Sequence, residues 1–176
     1  MNAPDLDRRV RRIRLLALDV DGVLTEGQIL LGPGGEESKA FSSRDGIGLK
    51  CLHLAGLHSA IITARGSPAV ERRAAELGVR DVVLNSSDKR TALRLLCEQH
   101  SLELAEVAFM GDDLQDLRAM MAAGVSLTVA GCPTELAERA DLVTTAPGGR
   151  GAVREAVEWL LKKQGRWEKV LAEFLP

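Results

Sequence analysis

Two carboxylates one residue apart, Asp19 and Asp21, end the segment "LLALDVDGVLTEG" (15–27), where aliphatic residues give way to a glycine and a threonine. A short apolar run without alternation is the pattern of a buried strand, so the two anions stand where that strand runs out into a loop. Anions placed this close repel each other and are costly to desolvate, which calls for a chemical reason. On an extended stretch residues i and i+2 project to the same side, so both carboxylates can reach one bound group. One could attack it as a nucleophile while the other moves a proton.

Comparable residues recur down the chain. Thr63 and then Arg65 follow "SAII", Lys89 follows "VVLN" at the start of a helix, and Gly111, Asp112, Asp113 and Asp116 follow "EVAFM". Taken singly, each has a plain structural explanation. A threonine after a strand caps, a lysine lies on a solvated face, and Asp113 and Asp116 favour a helix N-terminus through its dipole. Taken together at successive strand ends they ask for more, because stability does not call for several carboxylates converging on one rim. A hard cation does: Mg²⁺ takes oxygen ligands, commonly one or two carboxylates plus a substrate phosphate. Asp19 and Asp112 are the expected side-chain ligands. Lys89 and the Thr63 hydroxyl would hold phosphoryl oxygens. A carboxylate nucleophile would form an aspartyl-phosphate, and a second carboxylate would protonate the leaving alkoxide and then deprotonate the attacking water.

The elements that must position these residues are equally regular. "IRLLALDV", "SAIIT", "DVVL", "EVAFM", "VSLTVA" and "DLVTT" read as strands. Helices are expected from Gly46 to Leu57, over 67–78 with Ser67 as N-cap, Pro68 at the first position and Gly78 as C-cap, over 88–101, over 114–124, over 133–140 and over 151–164. "QILLG" and "ESKAF" flank "PGGE", which is hairpin chemistry. Strands alternating with helices imply a Rossmann-like α/β fold: a mostly parallel sheet, helices on both faces, with a small β-hairpin inserted after the first strand. Ligands in such folds sit beyond the carboxyl ends of the strands.

At 176 residues, with 45% hydrophobic and 27% charged residues, the chain is expected to be one domain spanning 1–176. A net charge of −2 gives no reason to expect nucleic acid or a membrane surface, and 3% aromatic content does not provide a base-stacking platform. Cys51, Cys97 and Cys132 are odd in number and form no CxxC pair, so they read as reduced and structural. His53, His58 and His100 show no metal-ligand spacing. The basic "RRVRRIR" at 8–14 reads as a solvated lead-in to the first strand, too short of apolar residues for a signal peptide. A cytoplasmic protein is expected.

DxDGxxT, a strand-end Thr, a Lys and GDDxxD, in this order, resemble the haloacid dehalogenase (HAD) superfamily of phosphatases. The resemblance implies Asp19 as nucleophile and Asp21 as acid/base, with the Asp21 main-chain carbonyl also on the metal. It makes Asp112 a metal ligand, Asp113 and Asp116 supporting carboxylates, and Thr63 and Lys89 phosphate-binding residues. "DVDGVLTEGQILLGPGGEESKAFSSRDGIGLKCL", "IITARGS" and "APGGRGAVREAVEWLL" are similar, more narrowly, to the 3-deoxy-D-manno-octulosonate 8-phosphate (KDO-8-phosphate) phosphatases. That family implies an Mg²⁺-dependent homotetramer without a cap domain, acting on a sugar phosphate in lipopolysaccharide synthesis.

Only 41 residues separate Asp21 from Thr63, which independently leaves no room for a lid beside the hairpin and a helix. The resemblance implies that the hairpin, at about 27–41, joins its copies at the tetramer core and that a neighbouring subunit completes the active site. Ile29, Leu30 and Leu31 would otherwise stand exposed. Arg65 matches an arginine of the family and suits a substrate carboxylate, although Ala64 stands where the family has glycine. Arg73, eight residues on, matches an arginine that relatives use across a subunit boundary. "SSRDG" at 42–46 departs from the asparagine-containing form, and "GGRG" at 148–151 reads as a turn or gate. A nine-carbon acid-sugar phosphate, a phosphoprotein, and a catalytically silent oligomerisation role stand as alternatives. A receiver domain would place its Lys after the Thr on the last strand, which the order here opposes.

Overall fold

The computed structural model describes residues 3–175. Its centre is β1 (Leu15–Leu18), every residue of which is buried. The strand is flanked in parallel by β4 (His58–Ile62) and β6 (Val107–Gly111), with Leu18 opposite both Ile61 and Met110. Adding β5 (Asp81–Val83), β7 (Val125–Thr128) and β8 (Leu142–Val143) gives a six-stranded parallel sheet in the order β5-β4-β1-β6-β7-β8. The chain therefore winds outward from β1 through β4 to β5, crosses back, and winds the other way from β6 to β8. The reversal opens a crevice at the carboxyl ends of β1 and β6.

Alternate residues of β1 serve opposite faces, as the strand period requires. Leu16 and Leu18 pack with α1 (Ala3–Arg12), α2 (Ser43–Leu54), α3 (Pro68–Leu77), α7 (Ala152–Lys163) and α8 (Trp167–Ala172). Leu15 and Ala17 pack with α4 (Lys89–His100), α5 (Leu117–Met120) and α6 (Thr134–Ala137). The expected doubly covered α/β sheet is the architecture found. The caps that place the site are local: the Ser67 hydroxyl accepts from Val70 N–H ahead of α3, and the Asp88 carboxylate accepts from Thr91 N–H, so that Lys89 opens α4.

Several expectations are corrected. The basic lead-in is a helix, because Leu6, Val10 and Ile13 form an apolar stripe against the core while Arg9 pairs with Asp141. Helix α2 begins at Ser43 rather than Gly46, since Ser42 caps it by accepting from Asp45 N–H. The helix expected over 114–124 shrinks to a 3₁₀ turn (Leu114–Asp116) and α5, and α8 is a helix that the sequence pattern does not predict. The hairpin is present as β2 (Leu30–Leu31) against β3 (Glu37–Ser38), a separate antiparallel pair. Residues 22–62 are filled by this hairpin, α2 and β4 with the loops between them, which leaves no segment for a cap. All three cysteines are free, Cys51 and Cys97 being buried. No helix among the described residues is long and apolar enough to cross a membrane.

Candidate active site

Asp19 leaves β1 with its N–H donating to Met110 O at 3.0 Å, so the backbone pairing of β1 with β6 is still closed at the residue that carries the first carboxylate. Lys89, at the first turn of α4, reaches in with a side chain almost wholly buried. Its Nζ lies 2.8 Å from Asp19 Oδ2 and 2.5 Å from Asp116 Oδ1. The second Asp116 oxygen accepts the N–H groups of Asp112 at 3.1 Å and Asp113 at 3.4 Å. Asp116 is thus a brace: one oxygen orients Lys89, the other shapes the loop after β6. Asp113, by contrast, turns to the surface and caps the 3₁₀ turn through Leu114 N–H.

Among the described residues, Asp19, Asp112 and Asp116 each offer one carboxylate oxygen to a group of three such atoms that lie within 4.8 Å of one another. The electrostatic cost is visible. Burial, and then the Asp116 carboxylate, push Asp19 up to about 6 in spite of Lys89. Burial, then Asp19 and Asp116, push Asp112 up to about 7. The ammonium of Lys89 is held above its usual range by Asp19 and Asp116, although burial works the other way.

Asp21 stands apart from this trio. Its Oδ1 accepts from Lys39 Nζ at 2.5 Å and, more weakly, from Thr25 Oγ1 at 3.4 Å. Lys39 also contacts Glu37 at 2.8 Å, and Glu37 pairs with Arg65 at 2.7 Å. Thr63, buried at the end of β4, turns its hydroxyl into its own loop, where it donates to Arg65 O and accepts from Arg65 N–H, both at 3.2 Å. Arg73 is not brought to the carboxylates: its guanidinium reaches Ser42 O at 3.4 Å and Glu76 at 3.2 Å.

The loop carrying Asp21 is held from two sides. Gly22 has φ +92°, and a Cβ there would lie 1.9 Å from Asp112 Oδ2. Gly148 packs onto the same loop, a Cβ on it falling 1.7 Å from Gly22 O, and Gly149 N–H donates to Val23 O at 2.9 Å. The "GGRG" stretch is therefore a brace for the loop. Replacing Gly22 with Ala combines a disfavoured φ with a collision on a carboxylate. Gly22→Ala is expected to lose about 1–3 kcal/mol of stability and to weaken cation binding more than tenfold. Thermal unfolding and calorimetric titration with Mg²⁺ would check both. Asp112 faces a cleft of about 460 Å³ whose walls include Glu26, Gly131, Pro147 and Arg150. A larger hollow of about 780 Å³ lies at the opposite end of the sheet, near His58 and Asp81, and holds none of these carboxylates.

Residues 75–155 match the model of haloacid dehalogenase-like hydrolases. The 3-deoxy-D-manno-octulosonate 8-phosphate phosphatase of Escherichia coli K12 is 44% identical over 94% of this chain and 88% of its own. The chain belongs to the KDO-8-phosphate phosphatase family. A crystal structure of the family's Moraxella catarrhalis enzyme, in complex with magnesium, phosphate and KDO, superposes with a TM-score of 0.94 at 40% identity, covering 98% of this chain and 99% of that one. The cobalt-bound family member from Haemophilus influenzae has a TM-score of 0.89 at 36% identity, over 93% of this chain and 99% of that one.

The residues present suit a hard cation of the kind that family takes. Asp112 Oδ1 is buried with no hydrogen-bond partner among the described residues, and the raised Asp19 and Asp112 are what an added positive charge would relieve. The Asp116 oxygens are both engaged, by Lys89 and by the Asp112 and Asp113 amides, so Asp19 and Asp112 are the side chains that could hold such an ion. Lys39 and Glu37 are polar residues of the site that sequence analysis does not single out. Nothing local marks them, since the pairing that matters joins positions 18 residues apart across a hairpin.

Proposed function

We propose that this chain hydrolyses 3-deoxy-D-manno-octulosonate 8-phosphate to the free sugar acid and phosphate, in lipopolysaccharide synthesis, with Mg²⁺ as its cofactor. The observation that carries the reading is the buried Asp19–Lys89–Asp116 bridge beside Asp112, set at the sheet's switch point in a chain of this family. Asp19 and Asp112, with the main-chain carbonyl of Asp21, would hold the metal. Bound Mg²⁺ supplies the charge that lets a carboxylate approach a phosphate dianion.

Asp19 attacks phosphorus, forming an Asp19 O–P bond as the bond to the sugar C8 oxygen breaks. That oxygen leaves as a poor alkoxide and takes its proton from Asp21. Asp21, now ionised, accepts a proton from the water that attacks the aspartyl-phosphate, which releases phosphate and restores Asp19. Lys89 places positive charge on the phosphoryl oxygens and fixes the direction of the Asp19 carboxylate. Thr63 serves another phosphoryl oxygen by rotating its hydroxyl away from Arg65 O. Arg65 takes the carboxylate of the sugar acid, giving up Glu37 for it. We assign Arg73 to the same carboxylate from a neighbouring subunit, and read Asp113 as a support for the loop after β6.

Residues 1–176 act on this reading as one cytoplasmic phosphatase domain that works as a homotetramer. Support comes from the hairpin, where Ile29, Leu30 and Leu31 are all exposed, Leu31 to 70%. Paired substitutions Leu30→Glu and Leu31→Glu are expected to convert the tetramer to monomers in light scattering. Turnover of the sugar phosphate should fall at least tenfold, and turnover of a small phosphate ester much less.

The testing experiment measures phosphate release from KDO-8-phosphate, a nine-carbon acid-sugar phosphate and a phosphopeptide, each with Mg²⁺ and with chelator. The expected result is a strong preference for the first that is lost in chelator. Metal-dependent release without that preference would overturn the substrate, and release indifferent to chelator would overturn the cofactor.

A further inference from the structure

The hairpin carries a lysine where its size gives little reason for a buried charge. Beyond two-residue strands whose apolar side chains are exposed, the Lys39 side chain is 1% exposed. Glu37 and Lys39 are two residues apart on extended chain, so they leave the hairpin on the same side, while Ser38 between them is exposed. Both are directed at the site rather than at solvent. The ammonium sits between two carboxylates, Asp21 and Glu37, and Glu37 is in turn held by Arg65.

The two oxygens of Asp21 are treated differently. The donors that reach this carboxylate, Lys39 Nζ and Thr25 Oγ1, both go to Oδ1. Oδ2 is buried and has no hydrogen-bond partner among the described residues. A buried carboxylate oxygen without a donor is costly unless something arrives to use it. We propose that Lys39 is a positioning residue for Asp21, gripping Oδ1 so that Oδ2 is the oxygen presented to the leaving group. The inference rests on Asp21 being the acid/base of the proposed reaction. Lys39 itself transfers no proton. The proton that reaches the leaving oxygen comes from Asp21 Oδ2, and the gain is one of orientation. Glu37 holds Lys39 in place, which ties the acid to the residue assigned to the substrate carboxylate.

Such a role differs measurably from a staple that merely seats the hairpin. A general acid matters for an alkyl leaving group and hardly at all for p-nitrophenolate, which leaves readily without a proton. The experiment measures kcat/KM, which reports steps through phosphoryl transfer to Asp19, for p-nitrophenyl phosphate and for a simple alkyl phosphate on the full chain with Mg²⁺. Lys39→Met is expected to lower the alkyl value about 100-fold while the p-nitrophenyl value stays within about threefold, and Lys39→Arg, which keeps a donor, should recover most of the loss. Because Lys39→Met removes the ammonium between Asp21 and Glu37, the double variant Lys39→Met/Glu37→Gln, with one anion fewer, is measured beside it. The double variant should show the same leaving-group dependence.

Equal losses on both esters in the folded variants would overturn the inference and leave Lys39 as a staple. Asp21→Asn separates the two levels of the argument. If it depends on the leaving group and Lys39→Met does not, the positioning role alone fails. If Asp21→Asn affects both esters alike, the acid assignment fails and the role of Lys39 fails with it.

Discussion

Asp19→Asn is expected to abolish turnover and yet to make the metal-free protein more stable. The carboxamide has the shape of the carboxylate but not its nucleophilic charge, so phosphate release should fall by about 10⁴-fold or more, in line with the loss of a nucleophile elsewhere. Stability moves the other way because Asp19 is a buried anion beside Asp112 and Asp116. Its value is raised from 3.8 to about 6 by burial and by Asp116. An acid raised on folding penalises the folded state once it ionises there. The penalty is absent below the unfolded value near 4 and complete above about 6. Two units correspond to a ceiling of about 3 kcal/mol, reduced by the hydrogen bond that Asn makes less well to Lys89. In chelator, Asp19→Asn should therefore melt higher than the parent at pH 8 and converge with it at pH 4. Added Mg²⁺ should close the gap by stabilising the parent more. Thermal melts of both proteins at the two pH values, with and without Mg²⁺, would show it. A lower melting temperature for the variant at pH 8 in chelator would mean that Asp19 is a net stabiliser and that the carboxylates are not in conflict.

This conflict explains which parts of the molecule are legible in the sequence. Asp19, Thr63 and Asp112 can be read there because each closely follows an apolar strand run, and Lys89 because it opens the helix that follows one; strand ends in a parallel sheet share one rim. The caps of α3 are legible for a similar reason: Ser67 and Gly78 act through bonds to residues three or four away, and Pro68 through its own fixed φ. Asp116 is only half legible. Its place one turn after Asp112 suggests support, but the division of its oxygens between Lys89 and the Asp112 and Asp113 amides depends on where α4 lies. The same contacts explain why the helix expected over 114–124 is cut short, since Asp116 is drawn back toward β6. Helix α1 is misread because its charges outnumber the apolar residues of its stripe, and its stability comes from packing against the core rather than from its own composition. The Lys39–Asp21 contact is invisible from sequence, being a tertiary pairing made across a hairpin.

Lys89→Met should show the opposite balance: inactive, and much less stable. Lys89 neutralises a site in which Asp19 and Asp116 are wholly buried with it. Methionine fills the volume of the stem but leaves two carboxylates facing each other with no countercharge and Asp112 close by. Removing one member of a buried ion pair costs about 3–5 kcal/mol, which for a chain of this size lowers the melting temperature by roughly 10 °C. Loss of the ammonium from the phosphoryl oxygens should cost about 10²–10³-fold in turnover besides.

The pH dependence identifies the cause. Lys89 lowers both Asp19 and Asp112, so without it both rise further above their unfolded values, and the destabilisation grows as pH passes upward through the range in which they ionise. The deficit should be largest at pH 8 in chelator and small near pH 4, where Asp19 and Asp112 are neutral and the parent's own ammonium has lost Asp19 as a charged partner. Lys89→Met/Asp116→Asn, with one anion fewer, should recover part of the stability at pH 8 and none of the activity. A deficit that stayed constant from pH 4 to pH 8, or a double variant no more stable than the single one, would assign the loss to packing. Lys89 would then be a space-filler at the head of α4 rather than the charge that allows Asp19 and Asp116 to be buried together beside Asp112.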